Sequence, residues 1–187
     1  MTEGNKQTLP TVLIVHGWND DLHTGWLNWL TGELRRRDYQ VYAPHLRIQD
    51  RPLLEKWYQQ LRPPAEDLGD KSVIIAHSLG CFVVLRLLES MRLLNPVHRI
   101  IFISGFFDAP SQSVSEFFTP EPDWQKIRTQ AREFICIASS DDTIVAVDRT
   151  RRLADKLGAS IITLEGRGHF LGSKGMKIFP EILELIV

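Results

Sequence analysis

Six short apolar runs, each separated from the next by a longer stretch, constrain this chain more than any other feature. They are Thr11–Val15 (TVLIV), Gln40–Ala43, Ser72–Ala76 (SVIIA), Arg99–Ser104 (RIIFIS), Phe134–Ala138 and Ser160–Leu164. They lack the clean apolar–polar alternation of a strand with one wet face, so each reads as a strand covered on both sides. Between the first two, Trp26–Arg37 sets Trp26, Leu27, Leu30 and Leu34 on one helical face. Further helices are expected around Leu53–Leu61, stopped by Pro63 and Pro64, over Leu79–Leu94 and near Trp124–Ala131. Two more are expected over Val147–Leu157, with Gly158 as its C-terminal cap, and near Pro180–Ile186. Strands alternating with helices give βαβ units. The expected fold is therefore three-layer α/β, a mostly parallel sheet of about six strands with helices on both faces.

A chain of 187 residues suits one domain, 1–187, with the polar stretch 1–10 as a flexible N-terminus. The 43% apolar content supplies a core. Lys and Arg number 22 against 23 Asp and Glu, and no basic stripe stands out, which argues against a nucleic-acid partner. The cluster Arg35, Arg36 and Arg37 reads as the solvated end of a helix. There is no apolar leader and no run near the roughly 18 residues of a membrane span, so no membrane partner is expected. Cys81 and Cys136 lie in apolar runs without metal-type spacing. They read as free buried thiols in a reducing cytoplasm, with no metal and no organic cofactor implied.

In open parallel sheets the site lies at the carboxyl ends of the strands. That rule selects the loops 16–25, 44–50, 77–78, 104–122, 139–146 and 165–173. The third strand runs into Ala76-His77-Ser78-Leu79-Gly80, a small-x-Ser-x-Gly turn leading into an apolar helix. Such a turn is sharp and needs small residues two before and two after the serine. It lifts the hydroxyl above the sheet edge at a helix N-terminus, where N–H groups favour negative charge. Ser78 is thus a candidate nucleophile, and the N–H of Leu79 a candidate oxyanion donor. The plainer alternative is a serine that only caps the helix.

A hydroxyl needs a base, and the base needs a group to orient it. Of six histidines only His169 follows all the late strands, in Gly166-Arg167-Gly168-His169-Phe170. His98 precedes a strand at the opposite edge, whereas His23 and His45 are on the correct edge. The acid should follow the fifth strand, where Asp141 and Asp142 both fit. Aromatic residues crowd the same loops. Trp26 and Trp29 read as packing residues. Phe106, Phe107 and Phe117, with Phe170 beside the base, are candidates to wall a shallow cleft for a small acyl substrate.

The pieces VHGW, GWLNWL, AHSLG, SSDDTIVAVDRTRRLADKLGA and GRGHF resemble the small, lidless serine hydrolases of the retinoblastoma-binding hydrolase type and their short bacterial relatives. The resemblance covers nearly the whole chain and implies an α/β-hydrolase fold without a lid domain. It implies Asp142, the second aspartate of the pair, as the acid, and the backbone N–H of Trp18 as the second oxyanion donor. Gly17 then allows close backbone approach, and His16 braces the loop. Ala146 stands where the family usually has Pro. The expected activity is that of a serine hydrolase acting on short-acyl carboxylic esters through a Ser-His-Asp triad. A peptidase, an amidase or a thioesterase on the same residues, or a non-catalytic binding protein on the same scaffold, are the alternatives.

Overall fold

In a computed structural model, which describes residues 9–18, 20, 22–46, 54–91, 93, 95–109, 115 and 118–186, the six apolar runs form one sheet. Its strands are β1 (Thr11–Val15), β2 (Gln40–Tyr42), β3 (Val73–His77), β4 (Val97–Ile103), β5 (Ala131–Ser139) and β6 (Ser160–Leu164). The order is β2-β1-β3-β4-β5-β6, and every neighbouring pair is parallel. The chain thus reverses direction across the sheet after β2, with β1 beside β3. The carboxyl ends of these two central strands open a crevice at that switch.

The helices are α1 (Gly25–Arg36), α2 (Leu54–Glu66), α3 (Leu79–Ser90), α4 (Trp124–Arg128), α5 (Val147–Leu157) and α6 (Pro180–Glu184). Alternate strand residues feed two separate cores. Leu13, Val15, Ile74, Ile100 and Phe102 pack with Trp57 and Leu61 of α2, Phe82 of α3 and Leu153 of α5. Val12, Ile14, Val73, Ile75, Ile101 and Ile137 pack with Trp26, Leu27 and Leu30 of α1 and Ile182 of α6. Both faces of β1 and β3 are therefore sealed, which is why their sequences are continuously apolar. Among the described residues no lid domain stands over the carboxyl edge. No helix among them is long and apolar enough to cross a membrane. Cys81 and Cys136 are free and buried.

Three expectations need correction. The helix α2 is not stopped at Leu61 but runs through Pro63 and Pro64 to Glu66. Two prolines forfeit two helical hydrogen bonds, but the carbonyls they free belong to exposed Gln59 and Gln60. Meanwhile Trp57, Leu61 and Ala65, at four-residue spacing, remain buried against the sheet. The helix α3 ends at Ser90 rather than Leu94, with Met91 already extended at φ −107° and ψ 160°. The strand β5 begins at Ala131, where α4 was expected to end, because Ala131 pairs with Val97. Residues 1–8 of the expected flexible N-terminus lie outside the described residues, as does Phe117.

Candidate active site

Ser78 occupies the turn between β3 and α3 with φ 52° and ψ −123°. A non-glycine residue in that conformation costs about 1–3 kcal/mol, so its surroundings must enforce it. Two contacts do so. The Ser78 N–H donates to the Ile103 carbonyl at 2.9 Å. The start of α3 is pressed against the end of β1 so tightly that a Cβ on Gly80 would lie 2.5 Å from the His16 carbonyl oxygen. Glycine at position 80 is a steric requirement of the turn. The Ser78 side chain makes no capping bond to α3, so the helix-cap alternative does not describe it.

The hydroxyl faces His169 instead, with Oγ 2.9 Å from Nε2. His169 Nδ1 lies 2.8 Å from Asp142 Oδ2. A carboxylate accepts, so Nδ1 carries the proton and Nε2 is left to accept from the hydroxyl. Asp142 is fixed in turn. Its Oδ2 also accepts from the Ser104 hydroxyl at 2.7 Å, and its Oδ1 accepts the N–H groups of Ile144 (2.8 Å) and Val145 (2.9 Å). Burial pushes the Asp142 carboxyl up, but the hydrogen bonds from His169, Ser104 and Val145 outweigh it and hold the group below its ordinary range.

Asp141, the other candidate acid, is exposed and does a different job. Its Oδ1 accepts from the Ser139 hydroxyl at 2.6 Å and from the Gly168 N–H at 2.9 Å. These bonds keep its carboxyl ionised at lower pH than usual. The Ser139 hydroxyl oxygen itself accepts the Arg167 N–H at 3.0 Å. Two further residues hold the loop from the α1 side. The Trp26 indole N–H donates to the Phe170 carbonyl at 2.7 Å, and His77 Nε2 to the His169 carbonyl at 2.9 Å.

Beside Ser78, the loop after β1 presents Gly17 and Trp18. Leu46 N–H donates to His16 Nε2 at 2.9 Å, so His16 Nδ1 bears the proton and donates to the Gly17 carbonyl at 2.7 Å. Burial keeps this ring neutral, outweighing the Gly17 bond and the Asp20 charge. In a trans peptide the C=O and N–H point in opposite directions, so the Trp18 N–H faces away from His16. It meets no partner among the described residues. The Trp18 side chain is 43% exposed. The Leu79 N–H, at the first position of α3, has no intrahelical acceptor.

The aromatic wall is not arranged as expected. Phe170 is fully buried and stacked on Phe179 at 5.4 Å, in the core under α1. Its φ of 53° turns the chain so that the carbonyl meets Trp26 and the ring enters the core, so Phe170 lines no cleft. Phe106 is buried against Phe118, with the Arg149 guanidinium 4.6 Å from its ring centre. Phe107 is half-buried, edge-on to Trp124. Trp26 is buried as expected. Among the described residues no group of three or more His, Cys, Asp and Glu is placed to hold a metal ion. Sequence reasoning did not single out Asp20, Ser104 or Ser139. Asp20 and Ser104 lie in loops at the carboxyl edge and Ser139 ends β5 there, the signal by which they are recognisable.

A six-stranded parallel sheet with a strained serine between β3 and α3 defines an α/β-hydrolase. The chain belongs to the serine hydrolase family, whose profile matches residues 12–187. It is 32% identical over 177 residues to the hydrolase YdeN of Bacillus subtilis (strain 168), covering 94% of this chain and 93% of that one. The crystal structure of the B. subtilis ydeN gene product superposes with a TM-score of 0.88 at 31% identity, over 96% of this chain and 97% of that chain. Similarity extends to the serine hydrolase RBBP9 of Rattus norvegicus, 22% identical over 184 residues, 95% of this chain and 94% of the other.

Proposed function

We propose that the protein hydrolyses carboxylic esters of short acyl groups through an acyl-enzyme on Ser78. The observation that carries this reading is the continuous array from Ser78 Oγ to His169 Nε2 at 2.9 Å and from His169 Nδ1 to Asp142 at 2.8 Å. His169 takes the hydroxyl proton as Oγ attacks the acyl carbon, then gives it to the departing alcohol oxygen. Asp142 keeps the imidazole in the needed tautomer and stabilises the imidazolium that forms. The Trp18 and Leu79 N–H groups receive the oxyanion of the tetrahedral intermediate. Water, deprotonated by His169, then releases the acid and restores Ser78. Exposed Trp18 and Ile144, on the loops that flank Ser78 and follow Asp142, offer apolar surface for the acyl chain. Phe106 and Phe107 back that side of the site rather than wall it. The scheme uses no metal or organic cofactor, and we place the protein, a single domain, in the cytoplasm acting on a small acyl substrate.

The test joins labelling to turnover. A fluorophosphonate should label the wild type at Ser78 and should not label Ser78→Ala. Hydrolysis of p-nitrophenyl esters should fall by about 10⁶ in Ser78→Ala, the size of the loss when such a serine is removed from a related triad. Turnover retained in folded Ser78→Ala overturns the reading. Acyl chains up to about six carbons should be preferred, because apolar contact per added methylene is worth about 0.8 kcal/mol only where the chain is buried.

A further inference from the structure

A buried imidazole that this scheme leaves unused lies directly behind Ser78. His77 is the last residue of β3, is 1% exposed, and packs edge-on against Trp26 of α1. Its Nε2 faces the His169 carbonyl at 2.9 Å. A carbonyl oxygen only accepts, so Nε2 carries a proton. Its Nδ1 is hydrogen-bonded to the carboxylate of Asp20, itself buried. The same Asp20 oxygen, Oδ2, accepts the Gly17 N–H at 3.1 Å. Burial pushes the Asp20 carboxyl up, but the charge and hydrogen bond of His77, with the Gly17 N–H, outweigh it and keep Asp20 ionised. An ionised acceptor at Nδ1 and a carbonyl at Nε2 leave both ring nitrogens as donors.

We propose that His77 is a positioning residue that, hydrogen-bonded at both ring nitrogens and paired with Asp20, fixes the loop offering the Trp18 N–H relative to the loop carrying His169. The inference rests on the roles given above to Ser78, His169 and Trp18. Gly17 immediately precedes the oxyanion donor, and the carbonyl held by His77 belongs to the base itself. One ring therefore ties the two groups that must meet the same substrate from different loops. Two donors on opposite edges of a rigid ring are required, which the neutral imidazole does not supply. Among the described residues, the ionisable groups facing the pair are His16, neutral by burial, and His169, whose ring centre is 5.0 Å from that of His77. Asp20 thus balances the His77 charge locally. A buried ion pair that loses one partner leaves the other uncompensated, so the two residues must act as a unit.

Ring ¹⁵N spectra of the intact protein, with His77 assigned through its contact with Trp26, should show both His77 nitrogens as hydrogen-bonded N–H donors. On p-nitrophenyl acetate, Asp20→Asn and His77→Gln should each lower kcat by about 10², with KM changed by less than about threefold, because displaced groups are felt in the transition state. The double variant should lose no more than the worse single, the signature of one shared interaction. A neutral His77 ring, losses that multiply in the double, losses confined to KM, or unchanged kcat in the folded singles each overturn the proposal. The spectra need no variant and decide the matter if the substitutions prevent folding. Ser78→Ala on the same substrate separates this inference from its parent. Turnover lost there but kept in His77→Gln defeats only the role of His77, whereas turnover kept in Ser78→Ala defeats the parent reading.

Discussion

The serine turn and the histidine loop sit side by side at the carboxyl edge, yet they are held by opposite means. The turn is held by contact, with one backbone hydrogen bond from Ser78 to the Ile103 carbonyl. Its backbone is strained at Ser78, and Gly80 touches the end of β1 with no room for a methyl group. The loop 166–170 is held by hydrogen bonds from elsewhere. A Cβ on Gly166 or Gly168 would meet nothing within 4 Å, and the loop's polar groups are gripped by Ser139, Asp141, His77 and Trp26. Contact fixes the backbone of the Ser78 turn. Tethers hold the backbone of the loop that carries His169 through groups supplied by other elements.

Within this comparison the largest effect should come from Asp142, the carboxylate bonded to the loop's histidine. Asp142→Asn should lower kcat by about 10⁴, because an amide at that place favours the wrong imidazole tautomer. Asp141→Asn keeps an oxygen able to accept the Gly168 N–H and should lose less than about tenfold in kcat. The reverse ranking, measured on one ester, would break the distinction between aiming and tethering.

The next prediction sets contact against tether directly. Gly80→Ala forces a methyl group into backbone and should destabilise the protein by about 1–3 kcal/mol in urea denaturation. Gly166→Ala meets open space and incurs only the left-handed backbone penalty, about 1–2 kcal/mol. Its stability loss should therefore be the smaller. Equal losses would show that the turn has more slack than its geometry implies.

Removing the Trp26 tether alone should matter less still. Trp26→Phe keeps most of the ring packing but leaves the Phe170 carbonyl without its indole donor, worth about 0.5–1.5 kcal/mol. Activity should fall only severalfold, since other tethers remain. A loss of 10² or more in kcat would mean that this one bond aims the base.

The smallest effect is in acid. The native Asp142 carboxyl is held below its unfolded value of 3.8. A depressed carboxyl contributes stability that is complete above the unfolded pKa and is lost as pH falls through the folded one. The urea midpoints of wild type and Asp142→Asn should therefore draw together below about pH 4. A constant gap between pH 7 and pH 3 would mean that Asp142 contributes no proton linkage to folding.

The same contrast explains what the sequence disclosed. Steric demands leave local marks, so Ala76, Ser78 and Gly80 stood out together, and β1 and β3 were legible from unbroken apolar runs. The tethers left no local mark. Asp20 and His77 are 57 positions apart, and Trp26 and the Phe170 carbonyl 144. Nothing in either segment alone announces the other. The two aspartates at 141 and 142 were equivalent by position, and only resemblance favoured the second. The structure brings Asp142 to the imidazole and Asp141 to the loop backbone. Phe170 was misread because an aromatic beside a base looks like a cleft residue, and its φ of 53° is invisible in sequence. The helix over the two prolines was misread because a propensity rule was weighed without the buried stripe that overrides it.

The two cysteines make the molecule its own unfolding clock. Cys81 lies in the first turn of α3, its Sγ–H donating to the Ala76 carbonyl at 3.2 Å, and Cys136 lies on β5. Burial pushes the Cys136 thiol up to about 12 and the Cys81 thiol well above its ordinary range. Native thiols of this kind are inert towards alkylating reagents, which attack the thiolate. Alkylation by a maleimide at neutral pH therefore proceeds only through opened molecules, and its rate at each cysteine reads how often that layer of the sheet comes apart. Modification of Cys81 counts openings of the start of α3 from β3, and modification of Cys136 counts those of β5.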